Sequence, residues 1–244
     1  MIQSVITRHT NCVNHELPKL KKQGTSLKGM VGILTSGGID SSILLAEASL
    51  SQAEVTPLFV RGGLFWEEAE LFWLKRFIHA LHASNIRSLI ELEVPSGRLY
   101  GRTHWSVNGE DSPGQQSADP EVYLPGRNLL TLAFAGTYAA LHHIDEIWLG
   151  ILKGNPFSDA TEPFLKNMEM VIHQAMSKNV AIKAPYHDLS KVEVLKKGVH
   201  LPLELTFSCL SPIKNDPCGK CNKCAERKRS FREANIDDRT EYRT

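Results

Sequence analysis

Ser36-Gly37-Gly38-Ile39-Asp40-Ser41-Ser42 is the stretch of this chain best equipped for chemistry. Its two glycines let backbone N–H groups come close to an anion. Ser36, Ser41 and Ser42 add hydroxyl donors, and Asp40 can ligate Mg²⁺. An apolar run ending at Leu34-Thr35 leads in and Ile43-Leu44-Leu45 leads out, so the turn joins a strand to a helix N-terminus. Helix dipole and unpaired amides favour negative charge there, which makes a nucleotide phosphate, and ATP in particular, the natural guest. The ordinary alternative for Asp40 and Ser41 is helix capping, worth about 1 kcal/mol. Neither the lysine-bearing Walker loop nor the Gly-x-Gly-x-x-Gly dinucleotide turn is present.

A second constellation is Cys209-x8-Cys218-x2-Cys221-x2-Cys224. Four thiolates so close in sequence indicate a metal rather than disulfides, and a tetrahedral structural Zn²⁺ fits them best. An iron–sulfur cluster is the alternative. Lys220, Lys223, Arg227, Lys228 and Arg229 lie close enough to offset the negative charge of such a centre. Cys12 stands apart and reads as an inert thiol.

Two further places carry polar residues beside apolar helices. Ser190 and Glu193 have capping-box spacing, which accounts for both. Lys191 between them opposes the helix dipole by some tenths of a kcal/mol, and a cation so placed suits charge stabilisation beside a phosphate. Arg127 and Asn128 open another helix, where the ordinary reading is an Asn128 N-cap and a surface arginine.

The elements that must position these groups alternate. Strands are expected at 30–34, 54–60, 88–94, 146–150 and 180–184, and helices at 41–50, 66–82, 128–142, from about 163, and at 190–197. That order predicts an α/β fold with a parallel sheet covered on both faces. Ligands then bind at the carboxyl ends of the strands, so Leu34, Thr35, Phe59 and Val60 should border the nucleotide. On the helix after the second strand, Trp66, Trp73 and Phe77 share one face and read as core packing or a dimer contact rather than a stacking site. The stretch 95–122 reads as a long irregular loop. Three parts are expected: an arm at 1–29, an ATP-binding domain at 30–200, and a zinc-binding segment at 201–244. With a formal net charge of +1, nothing demands a nucleic-acid partner. No run reaches the roughly 18 apolar residues of a membrane span. Residues 1–28 carry no apolar core of a signal peptide, and cytoplasm is the expected compartment.

The turn at Ser36 resembles the PP-loop of ATP pyrophosphatases, which have the adenine nucleotide α-hydrolase-like fold. Three further segments narrow the resemblance: Tyr123-Leu124-Pro125-Gly126-Arg127-Asn128-Leu129-Leu130, Leu189 to Glu193, and the tail from Leu203 to Cys224. In this order they resemble the 7-cyano-7-deazaguanine synthase family over about residues 30–236. The resemblance implies an ATP-dependent ligase that converts 7-carboxy-7-deazaguanine and ammonia to a nitrile through an adenylated carboxylate. It also implies a homodimer and one zinc per subunit. Ser36, Asp40, Lys191 and Arg127 would be catalytic, with Arg127 facing phosphate or substrate carboxylate. Gly37, Gly38, Ile39, Ser41 and Ser42 would bind ATP with the strand ends named above, and Asn128, Asp159 and Glu162 would bind substrate. For Asp159 and Glu162 the ordinary role is at a helix start, with Thr161 as N-cap. The chain departs from the family where Arg61-Gly62-Gly63-Leu64-Phe65-Trp66 replaces an Asp-Tyr-Gly-Gln-like motif, and again at 153–159. Competing readings are a paralogue acting on another carboxylate or acceptor, a tRNA-modifying enzyme, and a nucleotide-binding regulatory module.

Overall fold

A computed structural model describes residues 29–51 and 53–243. The expected arm, apart from Gly29, lies outside the described residues, as does Cys12. Five strands form one sheet: β1 (Met30–Leu34), β2 (Glu54–Arg61), β3 (Ile90–Glu93), β4 (Glu146–Trp148) and β5 (Ala181–Lys183). The order is β3-β2-β1-β4-β5, and every neighbouring pair is parallel. The helices are α1 (Ile39–Ser49), α2 (Glu67–Leu81), α3 (Gly97–Tyr100), α4 (Trp105–Asn108), α5 (Arg127–Leu141), α6 (Glu162–Met176), α7 (Lys191–Lys197) and α8 (Asn222–Ala234).

Side chains alternate across the pleat, and that period sorts the core into two layers. Val31, Ile33 and Val55 pack with α1, α7 and α8 through Ile43, Val194, Leu195 and Phe231. Leu34, Leu58 and Ile147 face the other way onto α5 and α6, meeting Leu132, Ala135, Leu165 and Ile172. Phe231 and Ala234 thus join the main core, so α8 is fastened to the sheet domain by burial as well as through its cysteines. Strand order reverses direction at β1 and β4, and the crevice at their carboxyl ends is where such sheets take ligands.

The stretch 95–122 is more organised than its composition predicts. It holds α3, α4 and a 3₁₀ turn at Asp119–Val122. It is pinned to the cysteine segment: the Asn222 amide donates to the Pro113 carbonyl at 2.8 Å, and Asn222 Nδ2 to Ser117 O at 2.8 Å. These partners lie about a hundred residues apart in sequence, beyond the reach of local patterning. Trp66 and Phe77 are core as expected; Trp73 packs beside the cysteine segment and donates its indole N–H to Asn215 O at 2.6 Å.

Candidate functional site

Gly38 is the N-cap of α1, and no side chain caps the helix. Asp40 and Ser41 therefore do not cap, and the amides of the first turn, which have no intrahelical acceptor, stay open to a ligand. The turn is held from within instead. Ser36 N–H donates to Ser41 Oγ at 3.3 Å, Gly38 N–H to Ser36 Oγ at 3.4 Å, and Ser41 Oγ to Gly38 O at 3.3 Å. Gly37 sits at φ +76°, and a Cβ there would lie 2.9 Å from the Glu70 carbonyl, so α2 closes directly against the turn. Gly150, just past β4, sits as close: a Cβ there would lie 3.1 Å from the Asp40–Ser41 peptide.

A cavity of about 300 Å³ opens at this point, lined by Leu34, Thr35, Ser36, Gly38, Asp40, Ser41, Phe59 and Val60 on the side of the turn. Tyr123, Arg127, Asn128, Phe157 and Asp159 line its other end. Tyr123 and Phe157 stack at 4.7 Å, giving the cavity an aromatic wall. Asp159 is buried; its Oδ2 accepts the Asn128 amide at 3.0 Å, while Oδ1 has no partner among the described residues. Gly126 rather than Asn128 is the N-cap of α5, and Asn128 instead bonds Asp159 through both backbone and side chain.

A second cavity of about 220 Å³ lies beyond the turn, and Ser36, Gly38, Asp40, Glu70 and Arg127 line both. Lys191, Lys223 and Glu226 complete it from α7 and α8. Lys191 Nζ bonds Asp40 Oδ2 at 2.6 Å and lies 4.0 Å from Glu226, which Lys223 meets at 2.7 Å. Burial would raise the Glu226 carboxyl, but Lys191 and Lys223 hold it below its ordinary value. Asp40 Oδ1 is buried and unpartnered, a free oxygen suited to a cation such as Mg²⁺.

The four cysteines, all buried and none in a disulfide, bring their Sγ atoms within 4.8 Å of one another. The Cys209–Cys221 separation of 3.9 Å matches the sulfur–sulfur edge of about 3.8 Å in a tetrahedral zinc site with bonds of about 2.3 Å. Amides of Leu210 and Cys218 donate to Cys221 and Cys209 Sγ at 3.3 Å, supporting negative charge on sulfur. The cluster can hold a metal ion. Arg227 does not offset its charge: it is 1% exposed and committed to Asp238, Thr206 and the Leu203 carbonyl.

Of the sequence-predicted residues, Lys191 and Ile39 line only the second cavity, and Gly37, Ser42 and Glu162 line neither. Glu162 is exposed in the first turn of α6, where Thr161 is the N-cap as its ordinary role requires. Ser42 is fully buried with an unpartnered hydroxyl and lines neither cavity. Gly37 and Ile39 shape the turn, Ile39 from the second cavity. Sequence reading missed Glu67, Glu70, Lys223 and Glu226. Glu67 takes the Gly62 and Gly63 amides, and burial raises its carboxyl against their pull. On an amphipathic helix a glutamate carries no signal of its own, and only the closure of α2 on Gly37 gives Glu70 its place.

Residues 30–235 match the family described as queuosine biosynthesis protein QueC. The chain is 32% identical over 210 residues to 7-cyano-7-deazaguanine synthase 1 of Desulfitobacterium hafniense, covering 84% of this chain and 92% of that protein. It is 30% identical over 216 residues to the 7-cyano-7-deazaguanine synthase of Leptospira interrogans, covering 85% and 88%. Among solved structures it is similar to a 4-thiouridine synthetase–RNA complex with bound ATP, at 15% identity and a TM-score of 0.49 over 85% of this chain and 50% of that one. No helix among the described residues is long and apolar enough to cross a membrane. The phosphate-type turn, the two joined cavities and the cysteine cluster thus occur in a chain that belongs to the QueC family of queuosine biosynthesis proteins.

Proposed function

We propose that this chain is a 7-cyano-7-deazaguanine synthase that adenylates 7-carboxy-7-deazaguanine with ATP and passes the activated carboxyl to ammonia. The observation that carries this is the single cavity running from the uncapped start of α1 to the unpartnered oxygen of Asp159. At one end, the first-turn amides with Ser36 and Ser41 take the β- and γ-phosphates, and Leu34, Thr35, Phe59 and Val60 border the adenosine. At the other, Tyr123 and Phe157 flank the deazapurine ring, and Asp159 Oδ1 accepts its N–H donors. Arg127 between them holds the substrate carboxylate against the α-phosphate. The carboxylate oxygen attacks that phosphorus and pyrophosphate leaves; Lys191 stabilises the charge that develops. Ammonia then displaces AMP to give the amide, and a second adenylation of the amide leads to the nitrile. Mg²⁺ on Asp40 would neutralise the departing pyrophosphate, and Zn²⁺ on Cys209, Cys218, Cys221 and Cys224 would be structural, with no open position. The protein works as a homodimer in the cytoplasm on small molecules, without nucleic acid.

Purified protein incubated with ATP, Mg²⁺, ammonium and 7-carboxy-7-deazaguanine should give AMP and nitrile. AMP without nitrile would favour a paralogue using another acceptor, a reading to which the Arg61–Trp66 replacement lends weight. No nucleotide turnover would leave a binding module.

A further inference from the structure

Charged groups around the second cavity are almost all paired. Asp40 has Lys191, Glu226 has Lys223, and Arg227 has Asp238. Two groups at the passage between the cavities are not: Arg127 from α5 and Glu70 from α2 make no ion pair with any described residue. Glu70 also takes no hydrogen bond from a described side chain, although its position is fixed by the tight seat of its carbonyl against Gly37. An unpaired cation and an unpaired carboxylate thus face one gap beside the phosphate turn.

Resting on the proposed synthase reading, we infer that Glu70 is a catalytic residue that receives ammonium from the second cavity and takes its proton. Ammonia is almost wholly ammonium at neutral pH and has no lone pair to attack with until that proton leaves. The step balances simply. Ammonium gives one proton to the Glu70 carboxylate, and the nitrogen lone pair so freed forms the C–N bond at the acyl-adenylate carbonyl. The C–O bond to phosphate then breaks with its electron pair leaving on AMP, and the nitrogen sheds a second proton to water as the amide forms. Burial, opposed by Arg127 and assisted by Glu67, pushes the Glu70 carboxyl up to about 8, so the ionised form that accepts from ammonium is the minor form at neutral pH and grows as pH rises toward 8 and above. Lys191, Asp40, Lys223, Glu226 and Arg227 face it across the second cavity, already paired as described.

Hydroxylamine is unprotonated at neutral pH and needs no base, so it separates this role from positioning. In the full-length protein, E70Q should form amide and nitrile from ammonium about 100-fold more slowly, while hydroxamate from hydroxylamine falls less than about threefold. Equal loss with both nucleophiles, at a melting temperature no lower than the wild type's, would overturn the assignment, as would undiminished use of ammonium. If E70Q does not fold, Glu70→Asp enters the same comparison, where the shortened carboxylate should again slow ammonium selectively. Wild-type protein that forms no acyl-adenylate, seen as no hydroxamate and no AMP, would instead sink the synthase reading beneath it.

Discussion

The Phe207 amide donates to the Gly37 carbonyl at 2.8 Å, so the phosphate turn and the cysteine segment share a hydrogen bond two residues before Cys209. A peptide whose carbonyl is held this way also fixes the direction of the next amide. Lys223, lying between Cys221 and Cys224, reaches the same cavity from the other side. A metal held at the cysteines would therefore order this turn as well as the C-terminal segment.

Metal removal tests this coupling. Loss of a buried metal site costs about 4 kcal/mol or more, or about 8–16 °C in melting temperature at this chain length. Cys218→Ser, or chelation of the wild type, should lower the melting temperature by that amount. Titration with ATP below the new midpoint should show affinity weakened about tenfold, the value of one well-aligned hydrogen bond. Unchanged ATP affinity in folded, metal-free protein would mean that the segment is only a staple.

Gly37 and Gly63 share nearly the same left-handed backbone, at φ +76° and +75°, yet differ in what surrounds them. Around Gly63 there is open space, whereas a Cβ on Gly37 meets the Glu70 carbonyl at 2.9 Å. Gly63→Ala should cost about 1–2 kcal/mol from backbone strain alone. Gly37→Ala should cost about 2–5 kcal/mol because overpacking against rigid backbone adds to it. Urea unfolding of the two variants side by side measures the difference; equal losses would show that α2 yields to the turn.

What was legible in the sequence was local. The strand-to-helix turn at Ser36, the Ser190–Glu193 capping box and Thr161 as N-cap each depend on residues close in sequence, and each is present. The alternation of apolar strands and helices, and with it the parallel sheet, was legible in the same way. Contacts that only tertiary structure creates were not legible. Asp40 and Lys191 are 151 residues apart, so the sequence offered two separate charges where the structure has a pair. Residues 95–122 read as loop because their partners, Gly219, Cys221 and Asn222, lie on a segment whose position depends on the cysteine cluster. Glu70 was invisible for the same reason.

Glu70 should also leave a mark on stability. Its carboxyl is raised in the folded protein to about 8, so the folded state binds a proton that the unfolded chain releases in the ordinary carboxylate range. The folded form is therefore penalised progressively as pH rises from that range toward 8, and fully above it. E70Q carries no charge to desolvate. Its melting temperature should match the wild type near pH 4 and exceed it increasingly up to pH about 8, with thermal melts across that series as the measurement. Parallel curves would mean that Glu70 is well solvated. A stabilising variant that loses ammonium-dependent activity is the behaviour of a residue retained for its function.

On the proposed reading, Asp159 offers the sharpest division between helix-start chemistry and base recognition, with one oxygen for each. Its Oδ2 accepts the Asn128 amide at 3.0 Å and so secures the start of α5, while Oδ1 is buried without a partner in a residue that lines the cavity. Asp159→Asn keeps an oxygen for the Asn128 amide, so α5 and the melting temperature should be little changed. It removes the anionic acceptor for the ring's N–H donors, a charged hydrogen bond worth about 1.5–3 kcal/mol, so KM for 7-carboxy-7-deazaguanine should rise about 10–100-fold. KM for ATP, which the proposed reading places at the other end of the cavity, should stay within about twofold, as should both constants in the exposed control Glu162→Gln. Steady-state kinetics with each substrate varied decides it. A variant that loses ATP affinity in equal measure would place the nucleotide, rather than the deazapurine, against Asp159.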